Sequence, residues 1–335
     1  MSQFFKKESL ESYQSIDLPQ PGEIYITNPS LNDAVEAAFL LRQPLLLTGD
    51  PGTGKTTLGI NLARELNKKS RGAFYEKALF FSTKSVSVAK DLFYIYDAIS
   101  HFQDASFHAN FGTAGSQKSQ AEDFIKLQAL GIAIVSGNRD ILTPGSSLLT
   151  QLPVTDASGN PKDFVVIIDE IDKAPRDFPN DILHEIENLN FGIKEIGGVQ
   201  FFKNEGARIF IVMTSNSERA LPEAFLRRCV FHHIEFPSKA ILKTILIAHQ
   251  VKQEAGRDLD GAFIENCIQL FNVIRDKCIE KKPSTAELIS WSRYLAYHKF
   301  NFFEPAKDVL LQSLSVVVKS KHDLKLLVES NILFQ

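Results

Sequence analysis

The segment Gly49-Asp50-Pro51-Gly52-Thr53-Gly54-Lys55-Thr56 constrains this chain more than any other. It follows a short run, Leu45-Leu46-Leu47-Thr48, that suits a buried strand, and it precedes a stretch from Thr56 to Asn67 that reads as a helix. A strand that turns through glycines into a helix is one crossover of a parallel α/β layer. Glycines 49, 52 and 54 let the backbone curl until consecutive N–H groups converge on one point. The helix adds its positive N-terminal end, so an anion fits there.

The spacing is G-x-x-x-x-G-K-[ST], the phosphate-binding loop of nucleoside triphosphatases. Residues 49–57, Thr57 included, form the expected nucleotide-binding segment. Lys55 reaches the terminal phosphates as a point charge, and the Thr56 hydroxyl holds Mg²⁺. A chance glycine turn before a lysine would lack the flanking strand and helix. A second motif agrees: Val165-Val166-Ile167-Ile168 is an apolar run ending in Asp169-Glu170. It fits a strand buried on both faces, with its acids at the C-terminal end where α/β sheets bind ligands. Asp169 is expected to hold Mg²⁺ through water, and Glu170 to orient or deprotonate the attacking water.

With 335 residues the chain has room for one large domain or two ordinary ones. Its net charge of −3 gives no electrostatic footprint for nucleic acid. Cys229, Cys267 and Cys278 show no paired metal spacing and read as packed thiols, which suits the cytoplasm. The first residues lack a signal-peptide core, and no apolar run is long enough to span a bilayer.

Residues 1–22 read as a mobile arm, 23–236 as the α/β nucleotide-binding domain and 237–335 as an all-helical domain. Ile24–Ile26 suits a short strand. Ser30 with Asp33 reads as a capping box opening a helix to about Arg42. Ala78–Phe81 reads as the second core strand. Residues 82–163 are long for a simple crossover; helices are expected over Ala89–Phe102 and Ala121–Gly131, with loops at 108–117 and 143–163. A helix follows over Asn180–Asn190, then strands at Ile209–Thr214 and Val230–Phe236. Beyond Pro237 helical periodicity recurs at about 240–253, 261–279, 285–300, 305–319 and 322–332, with no strong strand signal. His232 and His233, adjacent on a strand, face opposite sides and do not share a metal. Tyr94 and Tyr96 read as packing.

Two later segments narrow the class. Met213-Thr214-Ser215-Asn216 ends a strand in an amide able to hold the attacking water or sense a terminal phosphate. Leu226-Arg227-Arg228 supplies an arginine that can complete a neighbouring subunit's site. Together with Asn28-Pro29, the phosphate loop, Asp169-Glu170-Ile171-Asp172-Lys173-Ala174-Pro175 and Ala224-Phe225-Leu226-Arg227-Arg228, this order resembles the MoxR-like branch of the AAA+ ATPases over roughly residues 22–300. The resemblance implies a P-loop three-layer parallel sheet with a small helical lid, and rings, often hexamers, with ATP and Mg²⁺ at subunit interfaces. It implies chaperone-like remodelling of a partner protein, often one with a von Willebrand factor A domain. Carried over, Lys55 and Thr56 bind phosphate and Mg²⁺, Asp169 and Glu170 serve metal and water, and Asn216 is the first sensor. Arg228 is the preferred finger and Arg227 the reserve, since the spacing to the next strand does not separate them. One departure stands out: Ala286 occupies the lid position of a second-sensor arginine. Arg293, two turns on, reads first as a helix-surface residue and second as a substitute for that arginine. Competing readings are a nucleotide-gated scaffold with slow hydrolysis, a nucleic-acid motor, a GTP-using ring subunit and a small-molecule kinase. The helical C-terminal region and the 214–228 segment argue against the kinase.

Overall fold

A computed structural model describes residues 24–111, 120–153, 162–250, 261–303 and 305–330. Contacts divide it into two compact units. One comprises Thr27–Pro51 and Lys55–Glu235; the other takes Gly52–Gly54 and the described parts of Met1–Ile26 and Phe236–Gln335.

The first unit opens with helix α1 (Pro29–Leu41), capped by Asn28, whose side-chain oxygen accepts the Leu31 N–H at 2.8 Å. This corrects the expected Ser30 box. Pro29 presets helical φ, so Ser30 already lies inside the helix and the cap falls two residues earlier. Ile24–Ile26 forms no strand. Strand β1 (Leu45–Gly49), helix α2 (Lys55–Lys69) and strand β2 (Leu79–Ser82) follow close to their expected places.

The long crossover departs from expectation. Instead of a helix over Ala89–Phe102 it holds a 3₁₀ turn, strand β3 (Tyr94–Tyr96) and helix α3 (Ala98–Phe111). Instead of a helix over Ala121–Gly131 it holds a 3₁₀ turn, strand β4 (Ile125–Leu127) antiparallel to β3, and helix α4 (Ala129–Ser136). The expected loop at 108–117 is helical to Phe111, and its remainder lies outside the described residues; in the 143–163 stretch Ser147–Gln151 forms a 3₁₀ turn. The reason is tertiary. The Phe93 ring stacks on Phe191 at 4.9 Å, and the Tyr94 hydroxyl donates to Glu195 at 2.8 Å. Both partners lie about a hundred residues away, so no local pattern announces them. α4 crosses Phe93 so closely that a Cβ on Gly131 would meet the Phe93 carbonyl oxygen at 1.9 Å. Only glycine permits that approach.

Strand β5 (Phe164–Asp169), helix α5 (Phe178–Asn188), strands β6 (Asn190–Ile193) and β7 (Val199–Phe202), strand β8 (Ile209–Ser215), helix α6 (Glu223–Leu226) and strand β9 (Val230–Ile234) complete the unit. The β6–β7 hairpin, which carries Phe191 and Phe201, was not expected. The core sheet runs β2-β5-β8-β1-β9, all parallel. Val166, Ile168, Ile211 and Met213 point into one apolar cluster with α4 and α5, while Ile167 and Val212 face α2. Burial on both faces is why these strands read as continuous apolar runs.

The second unit holds helices α7 (Lys239–Gln250), α8 (Gly261–Lys277), α9 (Thr285–Tyr297), α10 (Lys307–Val317) and α11 (Lys321–Glu329). Trp291 is fully buried in its core, with the indole N–H donating to Ser313 Oγ at 2.8 Å. Asp323 is fully buried too, yet its carboxylate accepts the N–H groups of Ile279, Glu280 and Lys281 at 2.9, 3.2 and 3.0 Å. Burial pushes its pKa up, but those three N–H groups outweigh that and hold it below the ordinary value. Arg293, expected on a helix surface, is buried and donates to the His249 carbonyl at 3.0 Å. A five-stranded parallel sheet wrapped by helices, followed by an all-helical region, is the expected fold class.

Candidate functional site

The registers Leu47↔Thr214 and Ile168↔Met213 set the C-terminal ends of β1, β5 and β8 side by side. β1 lies between β8 and β9, while the chain's next core strand, β2, lies at the far edge. A strand-order break of this kind opens a ligand crevice at the carboxyl ends.

The loop after β1 curls as expected, with φ of 144° at Gly49, 75° at Gly52 and 91° at Gly54. L side chains rarely adopt such angles. Thr53 and Lys55 are buried, Gly54, Thr56 and Thr57 half-buried, and Asp50, Pro51 and Gly52 exposed. Lys55 opens α2 and folds back onto the loop, donating to the Gly49 carbonyl at 2.7 Å and the Asp50 carbonyl at 2.9 Å. Burial draws its pKa below the usual lysine value, against the opposing pull of Asp172, Asp169, Asp50 and Glu170.

Around it runs a chain of hydrogen bonds. Thr56 Oγ1 and Thr214 Oγ1 both donate to Asp169 Oδ1 at 2.7 Å. The Glu170 N–H donates to Thr214 Oγ1 at 2.9 Å. Glu170 itself sits in the left-handed region at φ 55°, which turns its side chain away from the strand direction. Asn216 Nδ2 donates to Glu170 Oε1 at 3.2 Å, and the Lys173 ammonium pairs with Oε2. That carboxylate pushes the Lys173 pKa up.

Thus Lys55, Thr56, Asp169, Glu170 and Asn216 converge. Arg227 and Arg228 do not join them within the chain. Arg227 pairs with Glu223, and Arg228 pairs with Glu187 at 2.7 Å; both guanidinium side chains are at least half exposed. His233 Nδ1 hydrogen-bonds Thr48 Oγ1 at 2.9 Å. Three further participants, Thr214, Asp172 and Lys173, stand in the quoted motifs, where Asp172 and Lys173 read as a cap of the next helix or an interface lining and Thr214 takes no role. Strand alternation places Thr214 on the same side as Asn216, a signal that was available. The buried Asp172 carboxylate accepts the Asn216 N–H at 3.1 and 3.3 Å and the Glu218 N–H at 2.9 Å, contacts that no spacing encodes.

The donor set fits a magnesium nucleotide. A hydroxyl and a carboxylate oxygen already 2.7 Å apart suit a hard cation, and the lysine beside a curled glycine loop suits phosphate. Among the described residues no three His, Cys, Asp or Glu side chains cluster as metal ligands.

Residues 45–238, more than half of the chain, match the sequence profile of the ATPase family associated with various cellular activities (AAA). The chain belongs to the AAA family. No curated protein matches it. Among solved structures it is similar to the crystal structure of the FIGL-1 AAA domain in complex with ADP, with 14% identity and a TM-score of 0.43 over 95% of this chain and 91% of that one. As a member of an ATPase family, this AAA chain is a nucleotide-binding protein of the hydrolase class. No helix among its described residues is long and apolar enough to cross a membrane.

Proposed function

We propose that this AAA protein binds ATP with Mg²⁺ at the interfaces of a ring, hydrolyses it, and uses the cycle to remodel a partner protein, as in the MoxR-like branch. The supporting observation is the unbroken chain Thr56–Asp169–Thr214–Glu170–Asn216 beside Lys55. In this reading Lys55 and residues 49–57 hold the phosphates, and Thr56 and Asp169 hold the metal. Glu170 accepts a proton from water that Asn216 orients. Arg228, or Arg227 in reserve, leaves its intrachain glutamate to reach a neighbour's nucleotide. A cytoplasmic setting and a partner with a von Willebrand factor A domain belong to the same reading.

Glu170→Gln tests it: the variant should bind ATP and lose turnover, and wild-type turnover would sink the assignment. ATPase activity per subunit should rise with protein concentration, and Arg228→Ala should lower it by about 10³-fold or more, the usual contribution of an arginine supplied in trans. A concentration-independent rate, with both Arg228→Ala and Arg227→Ala unaffected, would end the shared-site reading.

A second reading is a nucleotide-gated scaffold with slow hydrolysis. Both Glu170 oxygens are engaged, by Asn216 and by Lys173, and Ala286 stands where the lid arginine is expected. Tight ATP binding with very slow turnover, accelerated by Lys173→Ala, would favour it.

A further inference from the structure

We propose that Asp172 is a positioning residue of this site: its buried carboxylate shapes the turn 215–218 so that Asn216 meets Glu170. This rests on the reading of Glu170 as the water-activating group and extends it.

Asp172 is 3% exposed, three residues past the end of β5. A buried carboxylate is costly unless its charge is met by hydrogen bonds. Here the donors are the main-chain N–H groups of Asn216 and Glu218, from the segment leaving β8. Between them Ser217 adopts φ 60°, an unusual value for a residue with a Cβ. The Ser217 N–H turns the other way, to Ser215 Oγ at 3.0 Å. A left-handed residue flanked by converging N–H groups forms an anion-binding nest, and Asp172 is its built-in anion.

The consequence falls on Asn216. Its backbone is held by Asp172, and its side-chain amide then reaches Glu170 Oε1 at 3.2 Å. Asp172 and Glu170 belong to the same turn after β5, so the carboxylate ties β8's sensor segment to the turn that carries the base. Without the anion the nest has no reason to hold Ser217 in the left-handed region. The turn relaxes, and the Asn216 amide swings from Glu170 while the phosphate loop stays intact. A role confined to stability would lower the amount of folded protein and leave the rate of what remains.

The experiment is a double-mutant cycle on the full chain. Steady-state ATPase kinetics are measured for wild type, Asp172→Asn, Asn216→Ala and the double variant, with binding of a fluorescent ATP analogue alongside. Misplacing a group by about 1 Å costs on the order of 100-fold, so Asp172→Asn should lower kcat about 10–100-fold. Analogue affinity should hold within about threefold, and the double variant should match Asn216→Ala, because residues acting as one unit are not additive. A wild-type kcat for Asp172→Asn or Asn216→Ala, or a double variant showing the product of both losses, overturns the proposal. Should Asp172→Asn not fold, Ser217→Pro takes its place. Ser217 is exposed, and proline excludes its positive φ while leaving the Asp172 side chain itself unchanged. It should reproduce the kcat loss with nucleotide binding kept; normal turnover overturns the proposal. Glu170→Gln run in parallel separates the two claims. If that variant is inactive and Asp172→Asn is normal, only the positioning role falls. If Glu170→Gln turns over like wild type, the reading of the site falls first.

Discussion

Each unit of this protein contains a buried aspartate that holds a turn by its main-chain N–H groups. Asp172 does so for Asn216 and Glu218, and Asp323 for Ile279, Glu280 and Lys281. In both pairs the carboxylate and the turn lie more than forty residues apart in sequence. The difference is what the turn carries. The Asp323 turn follows α8, and its three N–H groups meet the carboxylate. The Asp172 turn carries an amide that reaches Glu170. The same physical device gives stability in one place and geometry in the other.

The largest expected change in stability tests the Asp323 side. Asp323→Ala leaves three N–H groups without their acceptor, and each such loss costs roughly 1–3 kcal/mol before water relieves it. A net loss of about 3 kcal/mol is expected in the unfolding free energy from urea titration, with ATP turnover per folded molecule unchanged. The sign of the pH dependence follows from the lowered pKa. Asp323 contributes stability above its unfolded value of about 4 and loses it as pH falls through the lower folded value. The variant should lack that acid-side loss. Impaired turnover at full stability would erase the contrast.

Asp172→Ala should reverse the ranking. Two N–H groups lose their acceptor rather than three, so the expected destabilisation is smaller, about 2 kcal/mol. Turnover should fall far more than for Asp323→Ala. Equal stability losses with equal turnover would mean that both turns serve folding alone.

This contrast also explains what the sequence discloses. The core strands were legible because burial on both faces writes an apolar run, and the phosphate loop because its chemistry needs glycines at fixed spacing. Asp169, Glu170 and Asn216 were legible because they end such runs. Asp172 and Asp323 were not, since a carboxylate that serves a distant turn looks like any acid at a helix start. The crossover over 89–131 misled for the same reason. Its short strands are held by Phe191 and Glu195 on a hairpin that shows no signal in their own neighbourhood, so Leu92, Phe93, Ile95 and Tyr96 mimic a helix face. Arg293 misled in the opposite sense, because a buried guanidinium donating to a carbonyl has the same local pattern as a solvated one.

The smallest effect sharpens the comparison from the local side. Asn28 performs at short range what the two aspartates perform at long range, with a side-chain oxygen satisfying one N–H three residues on. It is uncharged and at an exposed helix start, so water can replace it. Asn28→Ala should therefore cost only about 1 kcal/mol. Ser30→Ala should cost almost nothing, since Ser30 lies inside α1 and alanine favours a helix interior. Thermal melts of the two variants separate the cap that forms from the one the sequence suggested. A larger loss for Ser30→Ala would return the cap to Ser30, and with it the helix start expected from the sequence.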